Sequence, residues 1–157
     1  MAIEIERKFL VDATRLPELQ DPADILQGYL SFEPIEVRVR IKRGKAFLAL
    51  KDAAATLVRA ESECQIDIVD ARQLLLAWAH DHIVQKCRYR LIYNGVNWDL
   101  DIFAGLNQGL IIAEVELSEP EQAIIMPPWV IAEVTGIKRF YNAELSKCPY
   151  VKWKGSP

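Results

Sequence analysis

The sequence predicts a mainly β member of the α+β class: a closed, eight-stranded antiparallel β-barrel with a few flanking helices. Three observations lead there. Eight segments alternate residue by residue between two kinds of side chain, the period of two that marks a strand. Short turns join several of them, with Gly44 between Lys42 and Lys45 and the pair Asn94-Gly95 between two strand runs; Asn-Gly suits a type I′ hairpin. Helical patterns are few. Strands joined by tight hairpins make an antiparallel sheet, and eight of them can close into a ring.

In order along the chain, Ala2 to Val11 places Ile3, Ile5, Arg7 and Phe9 on one face and Glu4, Glu6 and Lys8 on the other. Asp12 to Asp24 holds Pro17, Pro22 and scattered acids, so it reads as a short helix or irregular connection. Further strands are expected at Ile25 to Phe32, Glu36 to Lys42, Ala46 to Lys51, Leu57 to Ile68, Val84 to Tyr93, Val96 to Phe103 and Ile111 to Leu117. Asp70 to Trp78 reads as a helix capped by Asp70 and docked on the sheet through Leu74, Leu75, Leu76 and Trp78. Ser118-Glu119-Pro120-Glu121 has the form of a capping box opening a short helix, and Asn142 to Lys147 offers one more turn before Pro149.

A chain of 157 residues supports one domain with a sizeable core, expected to span residues 1–157. Its 51% hydrophobic and 26% charged residues exclude a disordered or fibrous class, and a net charge of -3 argues against a general nucleic-acid binder. Cys64, Cys87 and Cys148 follow no metal or redox spacing, which fits a reducing cytoplasm. No signal peptide or long apolar run is evident, so a soluble, cytoplasmic protein without membrane contact is expected; a homodimer is compatible with the sequence.

The polar faces of these strands are filled by ionisable groups in blocks of one sign. Glu4 and Glu6 precede Lys8; Arg38 pairs with Arg40, Arg59 precedes Glu61 and Glu63, and Lys51 ends its strand as a single cation. Lys86, Arg88 and Arg90 share a face, as do Asp99 with Asp101 and Glu114 with Glu116. Solvated outer faces gain little from such blocks, since surface ion pairs contribute only about 0 to 1 kcal/mol. Turned inward, they enclose clustered carboxylates and a larger set of Lys and Arg. Acidic clusters of oxygen ligands suit a hard divalent ion, Mg2+ or Mn2+, and guanidinium and ammonium groups suit phosphate oxygens. A linear polyphosphate bridged by metal satisfies both sets.

The motifs E-x-E-x-K (Glu4 to Lys8), QGYL (Gln27 to Leu30), RVRI (Arg38 to Ile41), LALK (Leu48 to Lys51), R-x-E-x-E (Arg59 to Glu63), KCRYR (Lys86 to Arg90), WDLDIF (Trp98 to Phe103), AEVEL (Ala113 to Leu117) and EVTGIKRFYN (Glu133 to Asn142) follow one another along nearly the whole chain. In this order they resemble the triphosphate tunnel metalloenzymes of the CYTH superfamily. The resemblance implies a substrate inside the barrel, with Glu4, Glu6, Glu114 and Glu116 holding metal and Glu61, Glu63 and Asp101 as further ligands or water holders. It implies phosphate binding by Lys8, Arg38, Arg40, Lys51, Arg59, Lys86, Arg88 and Arg90. Catalytic roles fall to Lys8, Tyr29, Lys51, Lys86 and Glu63, with Tyr29 partnering Lys51. One departure is Gly136, where many relatives carry an acid.

A small-molecule triphosphate, inorganic tripolyphosphate first, is the expected substrate of a hydrolase. Thiamine or nucleoside triphosphates, adenylate cyclisation and a non-catalytic polyphosphate-binding module are the alternatives. His80 and His82 read as loop residues, the cysteines as ordinary thiols, and Trp78, Trp98, Trp129 and Trp153 as outer packing. The basic tail with Lys147, Lys152 and Lys154 is solvated or covers a tunnel mouth.

Overall fold

Tight turns with two consecutive residues of positive φ set the registers of two hairpins. Arg43 and Gly44 have φ of 50° and 73°, and Asn94 and Gly95 have 49° and 77°, the signature of type I′ turns, whose twist matches that of the flanking strands. The computed structural model describes residues 2–53 and 57–155. Its strands are β1 (Ala2–Val11), β2 (Ala23–Ser31), β3 (Ile35–Lys42), β4 (Lys45–Asp52), β5 (Val58–Ile66), β6 (Ile83–Tyr93), β7 (Val96–Phe103) and β8 (Ile111–Glu116). They run in the order β5-β4-β3-β2-β6-β7-β8-β1, and an additional β5–β1 pairing closes the ring. The expected eight-stranded antiparallel barrel is therefore present.

A ninth strand, β9 (Val130–Glu133), was not anticipated. It pairs Leu10 with Ala132 while Leu10 also pairs with Ile112 of β8, so it follows β5 along the same edge of β1. Four residues alternate too briefly to stand out in sequence; β1 supplies the template.

Residues directly opposite on antiparallel strands project to the same side, so register carries one parity around the whole ring. Glu4 lies opposite Arg59, Glu6 opposite Glu116, and Lys8 opposite Glu114. Lys51 lies opposite both Glu36 and Glu61, and Arg88 opposite Asp101. All these side chains face a common interior.

The outer parity is apolar and forms two cores outside the barrel wall. Phe9, Trp98, Leu100, Ala113 and Val115 pack beneath Trp129, which meets Trp98 edge-on at 5.3 Å. Val39 and Ala46 pack beneath Ala71, Leu75 and Ala79, which lie on or just beyond helix α1 (Ile68–Ala77). At one end even the inner parity becomes apolar. There Val84, Phe103 and Ile112 join Tyr29, Phe140 and Leu145 of helix α2 (Asn142–Lys147) to make a floor.

Three local expectations are corrected. Helix α1 is capped by Asp67, not Asp70: its carboxylate accepts the N–H groups of Val69 and Asp70, and the earlier start lets Ile68 pack with Ala71 and Leu75. The segment opening at Ser118 makes one turn, in which Gln122 Oε1 accepts from Ser118 N and Oγ, but no helix. Pro127 and Pro128 lie ahead without N–H groups, and the irregular path carries Ile124 and Trp129 onto the outer core. Leu76 and Trp78, 77% and 74% exposed, stand off the sheet, because Leu75 and Ala79 already fill its face. Among the described residues, no helix is long and apolar enough to cross a membrane.

Gly28 lies in close contact with α1 and the chain that follows it. A Cβ there would meet Leu75 Cδ2 at 2.7 Å, Ala79 Cβ at 2.8 Å and Ile83 Cδ1 at 2.9 Å. Gly28→Ala is expected to destabilise the fold by about 1–3 kcal/mol, read as a lower urea midpoint at constant slope; an unchanged midpoint would contradict this packing.

Candidate active site

Inside the barrel a cavity of about 180 Å³ is lined by residues of β1 to β6 and β8 and by Tyr141, Asn142 and Ala143. Glu4, Glu6, Arg88 and Glu114 also line a wider cavity of about 610 Å³, whose remaining wall includes Arg90, Asn97, Asp99, Glu116 and Ser118. The two therefore join into one passage that widens toward an acidic mouth.

Lys8 Nζ stands 2.5 Å from both Glu6 and Glu114. Lys51 Nζ bridges Glu4 at 2.8 Å and Glu61 at 3.2 Å. Arg38 reaches Glu63 at 3.2 Å and Glu61 at 3.4 Å. Arg88 is the most heavily bonded, with both oxygens of Asp101 at 2.6 and 2.7 Å, Glu114 at 2.6 Å and Asp99 at 3.0 Å. Beneath it Lys86 and Asp101, both fully enclosed, pair at 2.5 Å, and Asn142 Oδ1 accepts from Lys86 at 3.3 Å.

The structure thus gathers nearly every expected site residue on one interior. Glu116 lines only the wide mouth, and Arg90 is two-thirds exposed there, held by Asp99. Tyr29 lines the narrow cavity, but its hydroxyl is bonded to Gln27 and Lys51 is engaged by Glu4 and Glu61. Among the described residues no three acidic side chains gather into a ready coordination cluster; Lys8 sits between Glu6 and Glu114, and Lys51 between Glu4 and Glu61. The expected excess of cations is also corrected. Glu4, Glu6, Glu36, Glu61, Glu63, Asp99, Glu114 and Glu116 face Lys8, Arg38, Arg40, Lys51, Arg59, Arg88 and Arg90, so acids match or exceed bases in the passage.

Electrostatics separate the two ends. Burial, with repulsion from Glu114 and Glu4, pushes the Glu6 carboxyl above the usual range. Burial opposes ionisation of Glu114 as well, but Lys8 and Arg88 hold it well below that range. At the other end burial, reinforced by Arg38 and Arg88, lowers Arg40 to about 10. Among the described residues Arg40 has no carboxylate partner, and Arg38 Nε is buried with none at all. Burial likewise brings Lys86 down to about 8, Asp101 countering and Arg88 and Arg40 assisting.

Four lining or supporting residues escaped the sequence reading. Gln27 and Glu36 have the inward parity of Tyr29 and Arg38, a signal that could have found them. Tyr141 and Asn142 stand at the start of α2, outside the strand alternation that marks the other lining residues. The Tyr141 ring sits 5.2 Å from Lys8 Nζ and 5.6 Å from the Arg59 guanidinium, while its hydroxyl accepts from Gly136 N at 3.0 Å. Gly136 has φ of 77°, so a residue without Cβ suits the turn that makes this bond. Of the basic tail, Lys147 lines a small cavity that shares Glu36, Arg59, Tyr141 and Ala143 with the narrow one, whereas among the described residues Lys152 and Lys154 line neither cavity, and Trp153 packs against Phe140 and Tyr150. His80 is exposed beside Asp81, as a loop residue would be.

No family model matches the chain. An inorganic triphosphatase of Acetivibrio thermocellus is 35% identical over 155 residues, covering 98% of this chain and 99% of the relative. An inorganic triphosphatase of Nitrosomonas europaea is 40% identical over 148 residues, 91% and 96% of the two chains. The crystal structure of an inorganic triphosphatase superposes with a TM-score of 0.69 at 37% identity, covering 93% of this chain and 95% of that one. Identity of 35% and 40% over nearly the full length of the two relatives, the shared barrel and the ordered motifs lead to one conclusion: the chain belongs to the inorganic triphosphatase family of the CYTH superfamily.

Proposed function

We propose that this chain hydrolyses inorganic tripolyphosphate to diphosphate and orthophosphate, using Mg2+ or Mn2+. The carrying observation is the separation of charge within one closed passage: incompletely partnered guanidinium groups of Arg38 and Arg40 inside, and carboxylates Glu4, Glu6, Glu114 and Glu116 toward the mouth. The relatives' activity supports the substrate class. Among triphosphates the inorganic one is favoured by a narrow cavity of about 180 Å³ with almost wholly polar or charged walls.

The donor set suits a hard cation. It is all oxygen, and Glu6, whose carboxyl burial raises above its ordinary range, shares Lys8 with Glu114. Because acids match or exceed bases along the passage, a bound polyanion adds negative charge that a further cation would offset. Glu4, Glu6, Glu114 and Glu116 would hold that ion, with Glu61, Glu63 and Asp101 supporting it or its water. Bound there, it would polarise phosphoryl oxygens and acidify water.

The chain's own residues do the rest. Lys8 and Lys51 exchange their carboxylate partners for phosphate oxygens, and Arg38, Arg40 and Arg59 grip the polyphosphate through planar donors. Arg88, pinned by three acids, presents a fixed charge near the bridging oxygen. Lys86 acts from below by holding Asp101, hence Arg88. Glu63 orients a water at the terminal phosphorus and takes its proton; the new P–O bond forms as the bridging P–O bond breaks and diphosphate leaves. Arg90, exposed at the mouth, attracts the incoming anion.

Glu4→Ala and Glu6→Ala are each expected to lower Mg2+-dependent phosphate release by more than about 100-fold, since loss of even a supporting partner at a metal site costs 10–100-fold; near-normal turnover in either variant refutes the ligand assignment. Arg40→Ala should raise KM for tripolyphosphate roughly 10- to 100-fold, the magnitude of a lost charge-assisted hydrogen bond. In thermal unfolding, tripolyphosphate with Mg2+ at about 100 times Kd should add about 2.7 kcal/mol, or roughly 5–10 °C. A chelator should reverse most of that shift and stop turnover; binding with no phosphate release would instead identify a binding module.

A further inference from the structure

Gln27 is wholly buried between a guanidinium and a phenol, with 0% exposure. It lies opposite Arg40 across the β2–β3 ladder and two residues from Tyr29 on the same face. Arg40 Nε donates to its Oε1 at 3.2 Å, and its Nε2 donates to the Tyr29 hydroxyl oxygen at 2.9 Å. Chemistry fixes both directions. A guanidinium only donates, so the amide oxygen must face Arg40 and the amide nitrogen must face Tyr29.

Two consequences follow for the cavity. The Tyr29 oxygen accepts from Gln27, so its own hydrogen points elsewhere, and Tyr29 lines the narrow cavity. Burial, with the nearby Glu36 charge, pushes the phenol above its ordinary range, which keeps that proton on oxygen. Arg40 is held through Nε alone; among the described residues its two terminal nitrogens have no partner, and it too lines the cavity. A carboxylate in place of the amide would neutralise Arg40 and draw the Tyr29 proton away from the cavity. A neutral group that accepts on one side and donates on the other leaves both neighbours as donors.

We propose that Gln27 is a positioning residue that aims the terminal N–H groups of Arg40 and the O–H of Tyr29 at one phosphate group of the bound triphosphate. This rests on the triphosphatase reading above. Gln27 itself touches no substrate; a merely structural Gln27 would satisfy its neighbours without affecting phosphate affinity in the folded protein.

A double-mutant cycle on the full chain tests this, using wild type, Gln27→Met, Tyr29→Phe and the double variant. Tripolyphosphate binding is measured by calorimetry, and Mg2+-dependent phosphate release is followed well below each unfolding midpoint. Each single substitution should weaken binding about tenfold or more, with KM rising more than kcat falls. The double variant should match Gln27→Met within about threefold, because residues acting through one another are not additive. Gln27→Glu, which keeps a partner for Arg40 and so guards against a folding failure, should weaken binding at least as much. Multiplicative losses in the double variant, or Gln27 variants that lose thermal stability but bind tripolyphosphate like wild type, overturn the proposal while leaving the triphosphatase reading intact. A wild type that neither binds nor cleaves tripolyphosphate removes both.

Discussion

Pairing of β5 back onto β1 is the constraint from which the rest of the molecule follows. Once the ring is closed, every side chain of one parity shares a confined interior, and a charge there must find a partner or be neutralised. The result is a connected ionic chain in which Lys8 joins Glu6 to Glu114, Arg88 joins Glu114 to Asp101, and Asp101 meets Lys86. Such pairs add little net stability, because desolvation offsets their attraction, although removing one partner is costly.

Stability therefore has to come from the other side of the wall. The barrel is inverted relative to an ordinary half-buried sheet: its apolar faces point outward and are covered by the segment ending at Trp129 and by α1. Among the described residues the interior turns apolar at the floor near α2, where Val84, Phe103 and Ile112 offer phosphate no partner. The two tasks are separated by parity, with outward residues holding the fold and inward residues left to bind.

The charged passage has two unbalanced ends of opposite sign. Arg40, lowered to about 10 by burial and by neighbouring arginines, forms no ion pair among the described residues, whereas Glu6, raised by burial and neighbouring glutamates, has to share Lys8 with Glu114. Between them the groups are mutually satisfied. A cation-bridged polyanion lying along the passage would correct both ends at once, and neither ion alone would do so.

By itself the sequence determined the eight barrel strands, the type I′ turn at Asn94-Gly95 and the inward set, because alternation with period two is local and survives without knowledge of partners. Runs such as Arg38-Val39-Arg40 and Asp99-Leu100-Asp101 carry their facing in their own spacing. Tertiary structure alone decided which acid meets which base, that Glu116 and Arg90 sit at the mouth, and that Tyr29 bonds to Gln27 rather than Lys51. It also decided β9, the floor, and the approach of Tyr141 and Asn142. These depend on strand order, register and the path of irregular chain, which are contacts between residues distant in sequence and leave no periodic trace in it.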